Sequence, residues 1–419
     1  MLRGLLIDLK DQVKPPLTVG LIGVGGFGAS HLKALGPLET EGLARLVCVA
    51  DLADTPLAST RRTLESRGVR WYSDYKSLLE KELDLDALAI AAPIHLHMEI
   101  ATAAIARDLF VYLEKPPVPL IQQLDGLLAL DLHKKVAVGF QLVNSQPVQQ
   151  LKLWITQGAL GEIRNFRVGG CSPRSTVYYA RAPWAGKMIY DGKPVFDGPA
   201  TNALSHWLHN IMYLAGGKMD EFGLPLDVEA ELYRIKPIES YDLIGMRGHM
   251  ESGASFQYVV THATEEAVPC KLEVVGSKGR AWVFENGNVP GNDLGLLESA
   301  QSCADPFLET WRQFVRFALG TQPRPATRLD DTRGYVLATN AALASSGGIR
   351  DIGQIWGESR QNACQPGLAE LVEQTVQEGK LFSEMKVDWS RSGKSIKIAE
   401  WLPSTYVTRL GYFHKNSFT

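Results

Sequence analysis

Residues 17–30 read LTVGLIGVGGFGAS: an apolar run, Leu17 to Ile22, ends in a cluster of glycines that opens into a helical stretch. Gly23-Val24-Gly25-Gly26-Phe27-Gly28 is a G-x-G-x-x-G in the context that gives this spacing a mechanism. Gly23 permits the tight turn, Gly25 lets backbone approach a pyrophosphate, Gly28 allows a helix to pack on a strand, and Gly26 and Phe27 complete the loop at the helix N-terminus that faces the phosphates. A second apolar run, Leu43 to Ala50, ends at Asp51, 23 residues after Gly28. A carboxylate there accepts hydrogen bonds from the adenosine ribose hydroxyls and repels a 2′-phosphate, so NAD is the expected cofactor and NADP the less favoured one. Arg61 and Arg62 lie too far downstream to be an obvious clamp for a 2′-phosphate. The bland alternative is a glycine-rich turn that holds no dinucleotide.

Working outward, further strand-like runs occur at 87–92, 110–113 and 136–140, with helical stretches near 27–36, 55–67, 74–81, 97–107 and 121–133. Strand and helix in alternation predict a parallel sheet with helices on both faces, which binds ligands at the carboxyl ends of its strands. After residue 141 the pattern changes. A helix candidate at 147–157 is followed by β-rich segments near 162–170, 227–237, 241–249, 253–262 and 270–284, which predict a large, mainly antiparallel sheet. Helices are expected over 306–319, 332–346 and 367–378. The domain reading is therefore an arm at 1–16, a nucleotide domain at 17–141, an α+β domain at 142–350 and an extension at 351–419, packed on the second domain but without a role that pattern alone assigns.

The 419 residues carry a formal charge of -3, which removes the electrostatic footprint that nucleic-acid binding needs. No apolar run is long enough to span a bilayer, and the N-terminal MLRGLLIDLKDQVKPP lacks the cleavage site of a signal peptide. The five cysteines, at 48, 171, 270, 303 and 364, are odd in number and far apart. That spacing suits neither a disulfide framework nor a zinc knuckle, and the expected compartment is the cytoplasm. At the end of the 87–92 run, Pro93 stops the strand and shapes a wall against the nicotinamide, while His97 begins the next helix. For His95 and His97 the alternative is a cap or loop hydrogen bond; as metal ligands they lack a third partner nearby.

The next strand ends in Glu114-Lys115-Pro116. Together with Gly23-x-Gly25-x-x-Gly28, Asp51, the Pro93-x-x-x-His97 turn and Gly158-Ala159-Leu160-Gly161-Glu162-Ile163, this set resembles the glucose-fructose oxidoreductase, inositol dehydrogenase and MocA family of nicotinamide-dependent oxidoreductases, over residues 17 to about 350. The resemblance implies a Rossmann domain, a second domain whose open sheet makes homodimer or homotetramer contacts, and sugar, polyol or related substrates. It also implies that Lys115 lies near the nicotinamide and substrate. A lysine beside a positively charged ring has its ammonium form disfavoured, which moves it toward the range of a working base. Glu114 is expected to orient Lys115 or bond the backbone, and Gln141, after Gly139 and Phe140, is counted with the cofactor contacts.

The family's second signature is an Asp followed four residues later by a His on a helix, often with an acid three further on. Here His206 matches the His, Asn202 stands in the Asp position and His209 in that of the last acid. On a helix, i, i+4 and i+7 share a face, so Asn202, His206 and His209 can point together into a cleft; a structural helix histidine is the alternative reading for His206 and the favoured one for His209. Asn cannot take a proton, so an Asp-His dyad is lost unless Asp197 reaches in. Relatives often carry a basic or aromatic substrate contact where this chain has Leu142-Val143-Asn144; Tyr179, Arg181 and Trp184, in an aromatic and basic loop, are the expected replacements. The expected activity is hydride transfer between NAD and a sugar, cyclitol or related polyol, with Lys115 and His206 handling the hydroxyl proton. Its rivals are an NAD-dependent glycosidase or lyase that oxidises transiently and eliminates, and a sensor that binds nucleotide or sugar without chemistry.

Overall fold

The computed structural model describes residues 14–52, 55–287, 290–297, 305–353 and 367–401. Most of the arm at 1–16, and Cys303 and Cys364, lie outside them. The first apolar run forms β1 (Leu17–Ile22), and β2 (Ala44–Ala50), β3 (Arg70–Tyr72), β4 (Ala87–Ile90), β5 (Phe110–Leu113) and β6 (Val136–Val138) join it in a parallel sheet ordered β3-β2-β1-β4-β5-β6. The order reverses between β1 and β4, the switch point at which such sheets open a crevice for ligand. Five helices connect the strands: α1 (Gly28–Thr40), α2 (Ala58–Ser66), α3 (Tyr75–Lys81), α4 (His97–Ala106) and α5 (Ile121–Leu130). β3 is absent from the sequence reading because its three residues make no apolar run. It is held instead by Arg70 and Tyr72, which both donate to the Glu82 carboxylate.

This first compact unit comprises residues 1–114, 127–139 and 307–329. Its core joins Leu17, Val19 and Leu21 of β1 to Ala34, Leu35 and Leu38 of α1, and it is completed by the helix Pro306–Ala318. Trp311, Phe314 and Val315 of that helix are fully buried, and the Trp311 ring stacks on Tyr112 of β5 at 4.7 Å. The compact unit therefore also draws on residues 307–329, outside the stretch 17–141. A linear reading does not reveal a helix whose apolar stripe at i, i+3 and i+4 matches a sheet built much earlier in the chain.

The second unit comprises residues 115–126, 140–306 and 330–419. Along the chain it contains α6 (Gln146–Thr156), β7 (Ile163–Cys171), α7 (Thr176–Tyr179), the ribbon β8 (Ile189–Tyr190) and β9 (Lys193–Pro194), and α8 (Ser205–Ala215). The sheet strands β10 (Pro225–Arg234), β11 (Leu243–Met250), β12 (Ser255–Thr261), β13 (Val268–Gly276), β14 (Arg280–Phe284) and β15 (Gly291–Asn292) follow. Counting Pro306–Ala318 as α9, the remaining elements are α10 (Arg333–Ser346), β16 (Arg350–Asp351), α11 (Leu368–Glu378) and β17 (Ile396–Lys397). The large sheet runs β15-β14-β13-β7-β12-β11-β10-β16, with β17 beside β10. It is mainly antiparallel; β7 with β12 and β10 with β16 are the parallel pairs.

One face of this sheet carries Phe166, Val168, Phe256 and Tyr258, all buried, and Tyr258 donates its hydroxyl to the Leu204 carbonyl at the start of α8 (2.9 Å). The opposite face is covered by the chain after residue 367. Leu368 and Val372 of α11, with Phe382 and Trp389, pack on Cys171, Tyr233, Leu243 and Val259. Gly169 leaves room for this helix, since a Cβ there would sit 2.8 Å from the Val376 side chain. The buried Gln257 side chain donates to the carbonyls of Thr375 (3.0 Å) and Lys380 (2.6 Å), which ties the end of α11 and the residues after it to β12. Among the described residues no helix is long and apolar enough to cross a membrane.

Candidate functional site

The glycine turn is built for close backbone approach. Gly23 has φ +84°, and a Cβ on it would meet the Ala91 carbonyl oxygen at 2.6 Å; a Cβ on Gly28 would meet the Gly23 oxygen at 2.1 Å. Gly26 has φ +55° and open space where a side chain would be. Asp51 closes the loop from β2: its Oδ2 accepts from the amides of Val24 (2.6 Å) and Gly25 (3.1 Å). Among the described residues its Oδ1 makes no hydrogen bond, and neither do the amides of Gly26 and Phe27. Unpaired donors at a helix N-terminus beside a half-used carboxylate suit a pyrophosphate and a ribose, so this turn fits a dinucleotide.

Behind the turn, His97 is 2% exposed and its Nε2 lies 2.9 Å from the Ala92 carbonyl, while Pro93 starts the 3₁₀ turn Ile94–Leu96. The buried Glu114 carboxylate meets His31 Nε2 of α1 at 3.1 Å, and the approach of β6 requires glycine at 139, where a Cβ would come 2.8 Å from Glu114 Oε1. Phe27, Tyr112, Phe307 and Trp311 enclose His31 edge to face.

In the second unit, Lys115 donates its Nζ to the Asn202 carbonyl (2.9 Å). Asn202 precedes α8, following the 3₁₀ turn Pro199–Thr201 with φ -137° and ψ -97°. Its Nδ2 donates to Asp197 (2.6 Å) and lies 3.4 Å from the Tyr178 hydroxyl. Asp197 also accepts from the Gly186 amide and pairs with Arg181 at 3.5 Å. Arg181 stacks on Tyr178 (3.7 Å) and Trp184 (4.9 Å). His206 keeps 7% of its surface, and burial, with Lys115 and His209 nearby, pushes it well below the ordinary histidine range, so the ring is neutral. Gln141 Oε1 is enclosed without a hydrogen-bond partner.

Two family models match the chain: residues 17–141 fit the oxidoreductase family with an NAD-binding Rossmann fold, and residues 148–282 fit the GFO/IDH/MocA C-terminal domain. The rhizopine catabolism protein MocA of Rhizobium meliloti is 31% identical over 81% of this chain and 98% of its own length. The chain belongs to this oxidoreductase family. Inositol 2-dehydrogenase/D-chiro-inositol 3-dehydrogenase of Lacticaseibacillus casei is 22% identical over 78% of this chain and 91% of that protein. The WlbA dehydrogenase of Bordetella pertussis, solved with NADH and UDP-GlcNAcA, shares the fold, with a TM-score of 0.65 at 22% identity over 78% of this chain and 95% of that one.

Set against the GFO/IDH/MocA pattern, the structure brings together Lys115, Asn202 and His206, and separately the glycine turn and Asp51. It corrects several expectations. Asn202, His206 and His209 do not share a helical face, because α8 begins only at Ser205. His209 is fully buried, stacked on Phe140 at 3.9 Å with Phe222 5.2 Å away, and burial lowers it to about 3. It is a neutral residue of the core, the reading favoured for it from the sequence. His97 makes the loop hydrogen bond that was its alternative reading, to the Ala92 carbonyl, and Glu114 is engaged by His31. Tyr179 turns its hydroxyl into the protein with no partner, so its neighbour Tyr178 takes the position beside Asn202. Successive residues on a single turn point about 100° apart, so the tyrosine pair could not face one way. Sequence reasoning missed Tyr178 and His31. The Tyr178-Tyr179 pair was the available signal for the first; nothing in spacing marked the second.

Proposed function

We propose that this protein is an NAD-dependent dehydrogenase of a secondary alcohol on a sugar or cyclitol, able to run in either direction. When bound, NAD supplies the hydride acceptor. The observation that carries the reading is the group formed by the Lys115 ammonium on the Asn202 carbonyl with a neutral His206 beside it. A neutral imidazole can accept the hydroxyl proton, and Lys115 can donate to the oxygen as it becomes anionic. Asn202 takes no proton; tied to Asp197, it positions the lysine and offers its amide to a ring hydroxyl. The half-used Asp51 carboxylate supports NAD over NADP. The relatives named as inositol dehydrogenases support a polyhydroxylated substrate.

The test is NADH formation across a panel of neutral and acidic sugars and inositols. Lys115→Ala should cut kcat by about 10²- to 10⁴-fold while leaving NAD affinity unchanged; full turnover by that variant refutes the assignment. The buried free thiols Cys48, Cys171 and Cys270 support a cytoplasmic location. We also propose that copies form a homo-oligomer through β13 and β14, where Val268 and Phe284 remain exposed; a monomeric mass by light scattering would refute this.

A further inference from the structure

Arg174 sits in the loop after β7, fixed by its own amide, which donates to the His262 carbonyl (3.1 Å). Its guanidinium lies 4.9 Å from the centre of the Tyr178 ring, on which Arg181 also stacks. The Tyr178 hydroxyl reaches Asn202, and Asn202 holds Lys115, so Arg174 belongs to the same cluster within the second unit.

The acids of this cluster are already engaged. Asp197 takes the Gly186 amide, Asn202 and Arg181. Asp242 accepts from the amides of Ile235 (2.9 Å) and Lys236 (2.8 Å). Arg174 has no carboxylate partner among the described residues: its guanidinium gives a long hydrogen bond to the Pro173 carbonyl (3.5 Å) and interacts with the Tyr178 hydroxyl, and its Nε is enclosed without a partner. A partly buried cation lacking a counter-ion loses hydration for little return, whereas a planar guanidinium braced on an aromatic ring is prepared to take two oxygens at once.

We propose that the substrate carries an oxyanion, a carboxylate or a phosphate on the sugar or cyclitol, and that Arg174 pairs with it. This rests on the dehydrogenase reading for the identity of the site but not for the binding itself. An oxyanion held by Arg174 beside Tyr178 fixes one end of the substrate, leaving the alcohol for Lys115 and His206. Arg174 thus sets specificity, and neutral polyols lack the group that it recognises.

The experiment is calorimetric titration of the NADH-loaded protein with D-glucuronate, D-glucose 6-phosphate and D-glucose, for the native chain, Arg174→Gln and Arg174→Lys, with melting curves to confirm folding. One of the two anions should bind about ten- to a hundredfold more tightly than glucose, which also separates carboxylate from phosphate. Arg174→Gln should abolish that preference and Arg174→Lys restore part of it, and in turnover the loss should appear in KM far more than in kcat. Equal binding of the three sugars, no binding of any, or a preference that survives Arg174→Gln overturns the proposal. Oxidation of neutral sugars without anion preference would sink it while leaving the dehydrogenase reading intact. Arg174-dependent anion binding without oxidation of any sugar would do the reverse.

Discussion

His206 and His209 lie three residues apart on α8 and are both neutral, for different purposes. His206 keeps an accessible edge beside Lys115; His209 is enclosed by Phe140 and Phe222 and contributes only to packing. Spacing alone did not separate them, because helix periodicity does not tell which side of α8 meets the core. Burial lowers His209 to about 3 and His262 likewise, against about 6.5 in the unfolded chain. Unfolding therefore takes up protons between these values. The stabilisation is complete above about pH 6.5 and is lost on acidification toward pH 3, by about 1.4 kcal/mol per pH unit for each such group. His209→Leu should remove one proton's share of that slope, as read from urea midpoints at pH 7.5 and pH 5; an unchanged slope contradicts the buried, neutral assignment. Asp51 was legible from spacing alone, and its Oδ1 makes the test direct. Asp51→Ala should raise the NAD dissociation constant by about tenfold, the scale of a lost charge-assisted hydrogen bond, and narrow the margin over NADP, in a fluorescence titration of each nucleotide.

At the scale of elements, the strands and helices of the first unit were legible because their apolar runs alternate cleanly between turn signals. Two features were not. β3 rests on side-chain bonds to Glu82 instead of an apolar pattern. The start of α8 is delayed by the Pro199–Thr201 turn, where Thr201 Oγ1 accepts from the Gly198 amide and holds the chain out of helical geometry through Asn202. The pairing of α9 with the first sheet was equally hidden, since amphipathicity shows that a helix packs but not on what. Trp311→Ala should cost about 3 to 5 kcal/mol by chemical denaturation, the loss expected for a large ring removed from a full core. A cost below about 1 kcal/mol would mean that α9 is dispensable to the first unit. Gly28→Ala should abolish NAD binding in a folded protein, because its Cβ would lie 2.1 Å from the Gly23 oxygen.

Over the whole molecule, the sheet of the second unit has both faces in use. Composition and charge were silent on this, and the sequence after residue 351 offered only a helix candidate and scattered aromatic residues. The structure makes α11 and the stretch to Trp389 the cover of Tyr233, Leu243 and Val259, fastened by Gln257 and by Ser383 bonding the buried Glu231. A chain ending at residue 353 should bind a hydrophobic dye, melt at lower temperature and self-associate, seen by fluorescence, calorimetry and light scattering. A truncated protein as soluble and stable as the full one would show that this cover is decorative.

The return of α9 bears also on how the chain is made. The nucleotide-binding half begins near residue 17, but the helix that seals its core ends at Ala318. While the ribosome synthesises the intervening residues, the β1 and β5 side of that core waits without Trp311 and Phe314. Early emergence does not mean early completion here. The core of the amino-terminal half closes only after Ala318 has been added and its helix has packed, so until then its apolar face is exposed to aggregation.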